Sequence, residues 1–195
     1  MLNNKSQKGF TLVEMLVAVA IFMVVVTVAM TALMSVINAN RKARAIQSVV
    51  SNVNFVIESI SRDIRMGGDY YCGFSQSYDV NCAISGNNVV NYMPAGNSIG
   101  AGSRVYYKFT PPNLDTGSKG YLSKCNTTCG SSNSANYSQI TSPDVNVLSM
   151  EFYVVRGSGV QPKVVIIMEG EAGGLNDTRS KFSLQTTASQ RQKGI

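Results

Sequence analysis

The sequence predicts an α+β protein, in which a long amino-terminal helix is followed by a head of antiparallel β-sheet. Three observations predict it. Met15–Ile37 is a run of 23 residues without a charge. Beyond it, apolar residues recur at steps of three and four, with no proline before Pro94 to break the helix. After Gly68 the composition turns to Gly, Ser, Asn and Tyr around short β-branched and aromatic runs.

The uncharged run is long enough to cross a membrane, since about 18 apolar residues or more suffice. It is too long for the apolar stretch of a cleavable secretory signal, which is roughly 7 to 15 residues. A short polar leader with Lys5 and Lys8 precedes it and ends at Gly9. One acid, Glu14, stands inside the apolar segment, and no basic residue lies between Phe10 and Asn40 to compensate it. A carboxylate in such a place is costly, so it needs a partner. The only cation that can lie four residues away is a new amino terminus at Phe10, made by cleavage after Gly9.

Lys8, Gly9, Phe10, Thr11, Leu12, Val13 and Glu14 resemble the cleavage and methylation motif of type IV prepilins, shared by type IV pilins and the pseudopilins of type II secretion. The resemblance implies cleavage between Gly9 and Phe10 by a prepilin peptidase, N-methylation of Phe10, and a role for Glu14 in assembly with other pilin or pseudopilin subunits. It also implies a pilin-like fold, a single pass through the cytoplasmic membrane with the head outside the cytoplasm, and later incorporation into a pilus or pseudopilus filament. Positive charge does not fix the orientation, because the leader and the cluster Arg41, Lys42 and Arg44 balance one another. Ser61–Gly68 and Phe182–Arg191 are similar to stretches of minor pilins and J-type minor pseudopilins, while Glu14 departs from the K-type, which lacks that acid. The expected role is a minor structural subunit, with a filament-tip adhesin or a DNA- or cargo-binding minor pilin as the alternative.

The expected parts are a leader over 1–9, a transmembrane and assembly helix over 10–37, an amphipathic continuation over 38–68, and a globular head over 69–195. In the continuation, Ile46, Val49, Val50, Val53, Val56, Ile57, Ile60 and Ile64 form one apolar stripe among polar neighbours. Gly67 and Gly68 end it. In the head, Arg104–Phe109, Val145–Val155, Lys163–Glu169 and Phe182–Thr187 read as strands, and short connections favour antiparallel pairing. Residues 69–102 and 110–142 read as looser stretches.

The four cysteines, Cys72, Cys82, Cys125 and Cys129, lie among Ser, Asn and Gly, and local disulfides, Cys72 with Cys82 and Cys125 with Cys129, are the expected pairing. Three connectivities are open, and a thiolate zinc site or free thiols are weaker readings.

At 195 residues, 44% hydrophobic and 14% charged, the chain has core enough for one ordinary domain, which excludes disorder and a pair of large domains. It holds no histidine and no tryptophan. The commonest general base and metal ligand are therefore missing. No phosphate-binding loop, Gly-x-Ser-x-Gly, paired carboxylates or dinucleotide fingerprint occurs, so neither an enzyme nor a cofactor or metal site is expected. Asp69, Asp79, Asp115 and Asp144 read as separate turn residues rather than calcium ligands. Asn126, Asn136 and Asn176 begin glycosylation-like triplets that carry little weight. The net charge of +6 has one tight cluster, Arg41, Lys42 and Arg44, expected at lipid headgroups. The mix of basic and aromatic residues over Arg104–Lys108 reads as a strand before it reads as a nucleic-acid surface.

Overall fold

The computed structural model describes residues 9–75, 82–96, 104–126, 129, 136–157, 160–172 and 180–191. The leader residues 1–8, Asp79 and Asn176 lie outside the described residues. The chain divides into two units, residues 1–44 and 45–195, and one helix, α1 (Leu12–Met66), has residues in both.

Over Met15–Ile37 α1 is apolar on all sides, and its side chains are exposed to the surroundings rather than packed inside the protein. By length and composition this is a helix able to cross a membrane. Two of its hydroxyls, those of Thr27 and Thr31, bond to the helix backbone. Thr27 Oγ1 lies 2.9 and 2.8 Å from the carbonyls of Met23 and Val24, and Thr31 donates to Val28 at 2.8 Å. Hydroxyls satisfied this way make no demand on water.

The second unit begins with the amphipathic part of α1. Val49, Val53, Val56, Ile57, Ile60 and Ile64 are buried on one face. Ile46 and Val50 belong to the expected stripe but remain 38% and 48% exposed: Ile46 precedes Val49, where burial begins, and Val50 lies about 100° around the helix from Val49. Two sheets complete the unit. The first runs in the order β1 (Gly68–Cys72), β2 (Val89–Met93), β3 (Val105–Thr110), β4 (Tyr121–Cys125) and β5 (Ser138–Gln139), and a one-turn helix, α2 (Cys82–Ser85), precedes β2. The second runs β6 (Val145–Gly157), β7 (Val160–Ala172) and β8 (Ser180–Ser189). All pairings are antiparallel. One core unites the helix stripe with Tyr70, Val90, Tyr107 and Leu122 of the first sheet and Val147, Phe152, Val164, Ile166 and Met168 of the second.

Two of the looser stretches are thus partly sheet. Residues 69–102 contain β1 and β2, and 110–142 contain β4 and β5. These strands have two to five residues, too short to show a period of two, and polar residues on their second face merge with the Ser/Asn-rich loops. Asp69 is not a loop residue but sits in β1 with φ 51°, at the irregularity in its pairing with β2. The head also holds two sheets where a single one was expected. They are stitched together where Asn87 and Phe152 exchange backbone hydrogen bonds of 3.0 and 2.8 Å, and where Val147 donates to the carbonyl of Gly120 at 3.0 Å. Gly120 has to be glycine, since a Cβ there falls 2.0 Å from the Val147 oxygen.

Polar contacts fix the end of α1 to the sheets. The Gly67 amide donates to the Asp63 and Ile64 carbonyls, the buried Tyr70 hydroxyl reaches the Ile64 and Gly67 carbonyls at 2.5 and 2.8 Å, and the Arg191 amide beyond β8 donates to Arg65 at 2.9 Å. Carbonyls that a helix end leaves open are therefore met from both sheets. One turn earlier, Asp63 Oδ2 accepts from Tyr107 at 2.6 Å on β3 and from Lys124 at 2.5 Å on β4. Two disulfides, Cys72–Cys82 and Cys125–Cys129, tie β1 to α2 and close a short loop after β4.

Burial works against ionisation of Asp63, but the hydrogen bonds from Lys124 and Tyr107 and the Lys124 charge outweigh it and hold the carboxyl below its ordinary value. A carboxyl lowered on folding stabilises the fold above the unfolded-chain value and loses that contribution as the pH falls through the folded-state value. Thermal unfolding of the full chain in detergent should therefore show a midpoint that falls as the pH drops below the ordinary carboxylate range. In Asp63→Asn this part of the pH dependence should be absent. Chain entropy orders the two disulfides as well: replacing Cys125 and Cys129 by alanine should cost about 2 kcal/mol in urea unfolding, and replacing Cys72 and Cys82, which close the longer loop, about 3 kcal/mol.

Candidate functional site

The amino-terminal segment is built by a helix cap. Gly9, Phe10 and Thr11 are not helical, and α1 begins at Leu12. Thr11 is the N-cap: its Oγ1 accepts from the Glu14 amide at 3.3 Å, and its carbonyl accepts from the Met15 amide at 3.3 Å. Thr11-Leu-Val-Glu14 is therefore a Ser/Thr-x-x-Glu capping sequence, a signal the spacing carries in plain view. Glu14 lies in the first turn, where the positive end of the helix dipole favours a carboxylate.

Among the described residues, nothing packs on or pairs with these side chains. Gly9 has open space where a Cβ would stand, Phe10 is 79% exposed, and Glu14 is exposed, with no side chain among the described residues bonded to its carboxylate. The cluster Arg41, Lys42 and Arg44 lies on the same helix, roughly 40 Å further along at 1.5 Å per residue, too far to pair with it.

Residues 4–30 match the family described as the prokaryotic N-terminal methylation motif. The chain carries a prepilin-type methylation motif. This is consistent with the type IV pilin and pseudopilin superfamily and implies processing by a prepilin peptidase and assembly with other pilin-type subunits. With the apolar helix it fits a membrane-anchored, single-pass protein. No curated protein matches the chain, and no solved structure does either.

The structure places the other sequence candidates elsewhere. Arg104, Tyr106 and Tyr107 are buried, and the half-buried Lys108 lies 5.5 Å from the centre of the Tyr137 ring. Arg104 Nε donates to Asn91 Oδ1 at 2.6 Å, and its Nη2 donates to the Asp69 carbonyl. Its guanidinium and that of Arg156 lie 4.8 and 4.5 Å from the centre of the Tyr71 ring. Tyr71 of the first sheet thus lies between a cation from the approach to β3 and one from β6 of the second sheet. Residues 45–195 also hold 12 Lys and Arg against 10 Asp and Glu, so most of the net positive charge belongs to residues 1–44. Among the described residues, no three of His, Cys, Asp and Glu converge as metal ligands.

The cap predicts a local effect. Removing an N-cap hydroxyl costs about 1 kcal/mol, which is about fivefold in an opening equilibrium. Thr11→Ala should therefore speed amide hydrogen exchange at Glu14 and Met15 by about fivefold in detergent micelles, with residues beyond the second turn unaffected and Thr11→Ser restoring protection.

Proposed function

We propose that the chain is a minor structural subunit of a type IV pilus or a type II secretion pseudopilus. It is cut between Gly9 and Phe10, methylated on the new Phe10 amine, and assembled through the helix over residues 10–37. The observation that carries this reading is Glu14, a carboxylate in the first turn of a lipid-length apolar helix with no side-chain partner among the described residues.

The physical logic is compensation. In the membrane, the Glu14 carboxylate of one subunit and the Phe10 ammonium of another are each expensive in lipid, and each removes the other's cost when they meet. Cleavage creates the ammonium, which makes processing a precondition of docking. Because Gly9, Phe10 and Glu14 take no part in internal packing, substitutions there leave the head intact. The head lies outside the cytoplasm in this reading. The two disulfides support that side, since such bonds persist in oxidising compartments. Similarity of Ser61–Gly68 and Phe182–Arg191 to minor pilins and J-type pseudopilins supports a minor rather than a bulk subunit.

Two substitutions separate the steps. Gly9→Val should leave a full-length chain in the membrane when a prepilin peptidase is present, because the scissile position now carries a branched side chain that the fold tolerates. Glu14→Val should yield a chain that starts at Phe10 and folds normally but is strongly depleted from sheared filaments. Normal incorporation of Glu14→Val would refute the ammonium pairing.

A further inference from the structure

Among the described residues, the backbone of β6 is stitched to the first sheet at two places, with a gap between them. Val147 donates to the Gly120 carbonyl, and Phe152 exchanges both of its backbone hydrogen bonds with Asn87. Phe152 therefore turns its amide and carbonyl away from β7. In an antiparallel pair this direction alternates from residue to residue, and the register between Ser149 and Val155 is unbroken. Met150, two residues before Phe152, turns its own amide and carbonyl the same way, and among the described residues neither meets a partner. Met150 is nonetheless buried, and the backbone groups of buried residues are normally paired.

The gap is a cleft of about 340 Å³, bounded by residues 85–88, Phe109 and Pro111 on one side and by residues 149–151 on the other. That is at the small end of the roughly 300 to 1,000 Å³ of small-molecule sites. Gly86, at φ 72°, lets its chain lie this close to β6, since a Cβ there falls 2.9 Å from the Tyr153 ring. The Cys72–Cys82 disulfide anchors α2 just before it.

The lining selects the chemistry of the occupant. It holds no lysine or arginine and one carboxylate, Glu151, so it disfavours an anion. One Glu151 oxygen takes the Tyr153 hydroxyl, which leaves the other for a ligand. The Asn88 amide and the Ser149 hydroxyl have no side-chain partner among the described residues. Donors and acceptors are thus mixed around the two open groups of Met150, and a hydroxyl is the group that serves as both.

We propose that this cleft binds one ring of a neutral saccharide. Neighbouring hydroxyls of the ring pair with the Met150 backbone, Asn88, Ser149 and Glu151, and its C–H face lies on Phe109 and Pro111. The proposal goes beyond the filament reading and uses residues of the second unit alone.

The test uses the full isotope-labelled chain in an amine-oxide detergent, which carries no sugar. The probes are the methyl glycosides of glucose, galactose, mannose and N-acetylglucosamine. At least one should shift the amide signals of Asn88, Ser149 and Met150 saturably, with a dissociation constant on the order of a millimolar, as suits a ligand of this size. The same sugar with a carboxylate in place of its primary alcohol should bind about fivefold more weakly, and Glu151→Gln should remove that difference. Asn88→Ala should weaken binding of the neutral sugar about fivefold. Both variants alter exposed side chains, so amide signals away from the cleft should stay in place. No saturable shift with any of the four glycosides, shifts centred on another strand, equal binding of the neutral and charged sugars by the unaltered chain, or full-strength binding by Asn88→Ala would each overturn the proposal.

Discussion

One uninterrupted helix carries two apolar patterns, and the rest of the chain answers to the change between them. Over its first part, α1 is apolar all round and offers its side chains outward. From Val49 onward the apolar residues narrow to a stripe that must be buried against protein, because each exposed side chain of that size gives up roughly 1.5 to 3 kcal/mol of burial. The two sheets exist to cover that stripe. Their own inner rows, from Tyr70 and Tyr107 to Phe152 and Ile166, are what it packs on.

Apolar burial is non-directional, so the stripe alone does not fix where the helix ends or how it is turned. The directional contacts do that. Asp63 binds β3 and β4 together through Tyr107 and Lys124, Tyr70 reaches back to two carbonyls, and the chain beyond β8 supplies an amide to Arg65. Gly67 completes the closure, for a Cβ there falls 2.4 Å from the Tyr92 ring. The head is thus held to the helix at its last two turns by hydrogen bonds and along the preceding turns by packing.

The parts legible in the sequence were those with a long signal. The 55-residue helix announces itself by two sustained periodicities and the Gly67-Gly68 stop. The strands β6, β7 and β8 do so through runs such as Val164–Met168. The short strands β1, β4 and β5 were hidden because a strand such as Tyr-Leu-Ser-Lys-Cys puts polar residues on a face that loops cover. The split into two sheets was hidden for a different reason: it rests on the bridge of Asn87 to Phe152 and on Gly120, contacts between distant residues with no local signature. At the amino terminus, the methylation motif was legible from the leader and the lone acid. The Thr11 cap is written in the spacing Thr-x-x-Glu. Asp63 is the polar residue whose role no pattern betrays, since its partners come from strands 44 and 61 residues away.

The central claim is that residues 9–14 are shaped for processing and assembly rather than for the fold. The most direct test is the intact mass of the chain recovered from sheared filaments and from the membrane of the same cells. The account predicts a filament-borne chain beginning at Phe10, its mass raised by one methyl group. A chain that retains residues 1–9 in the presence of an active prepilin peptidase, and that never leaves the membrane fraction, would contradict it.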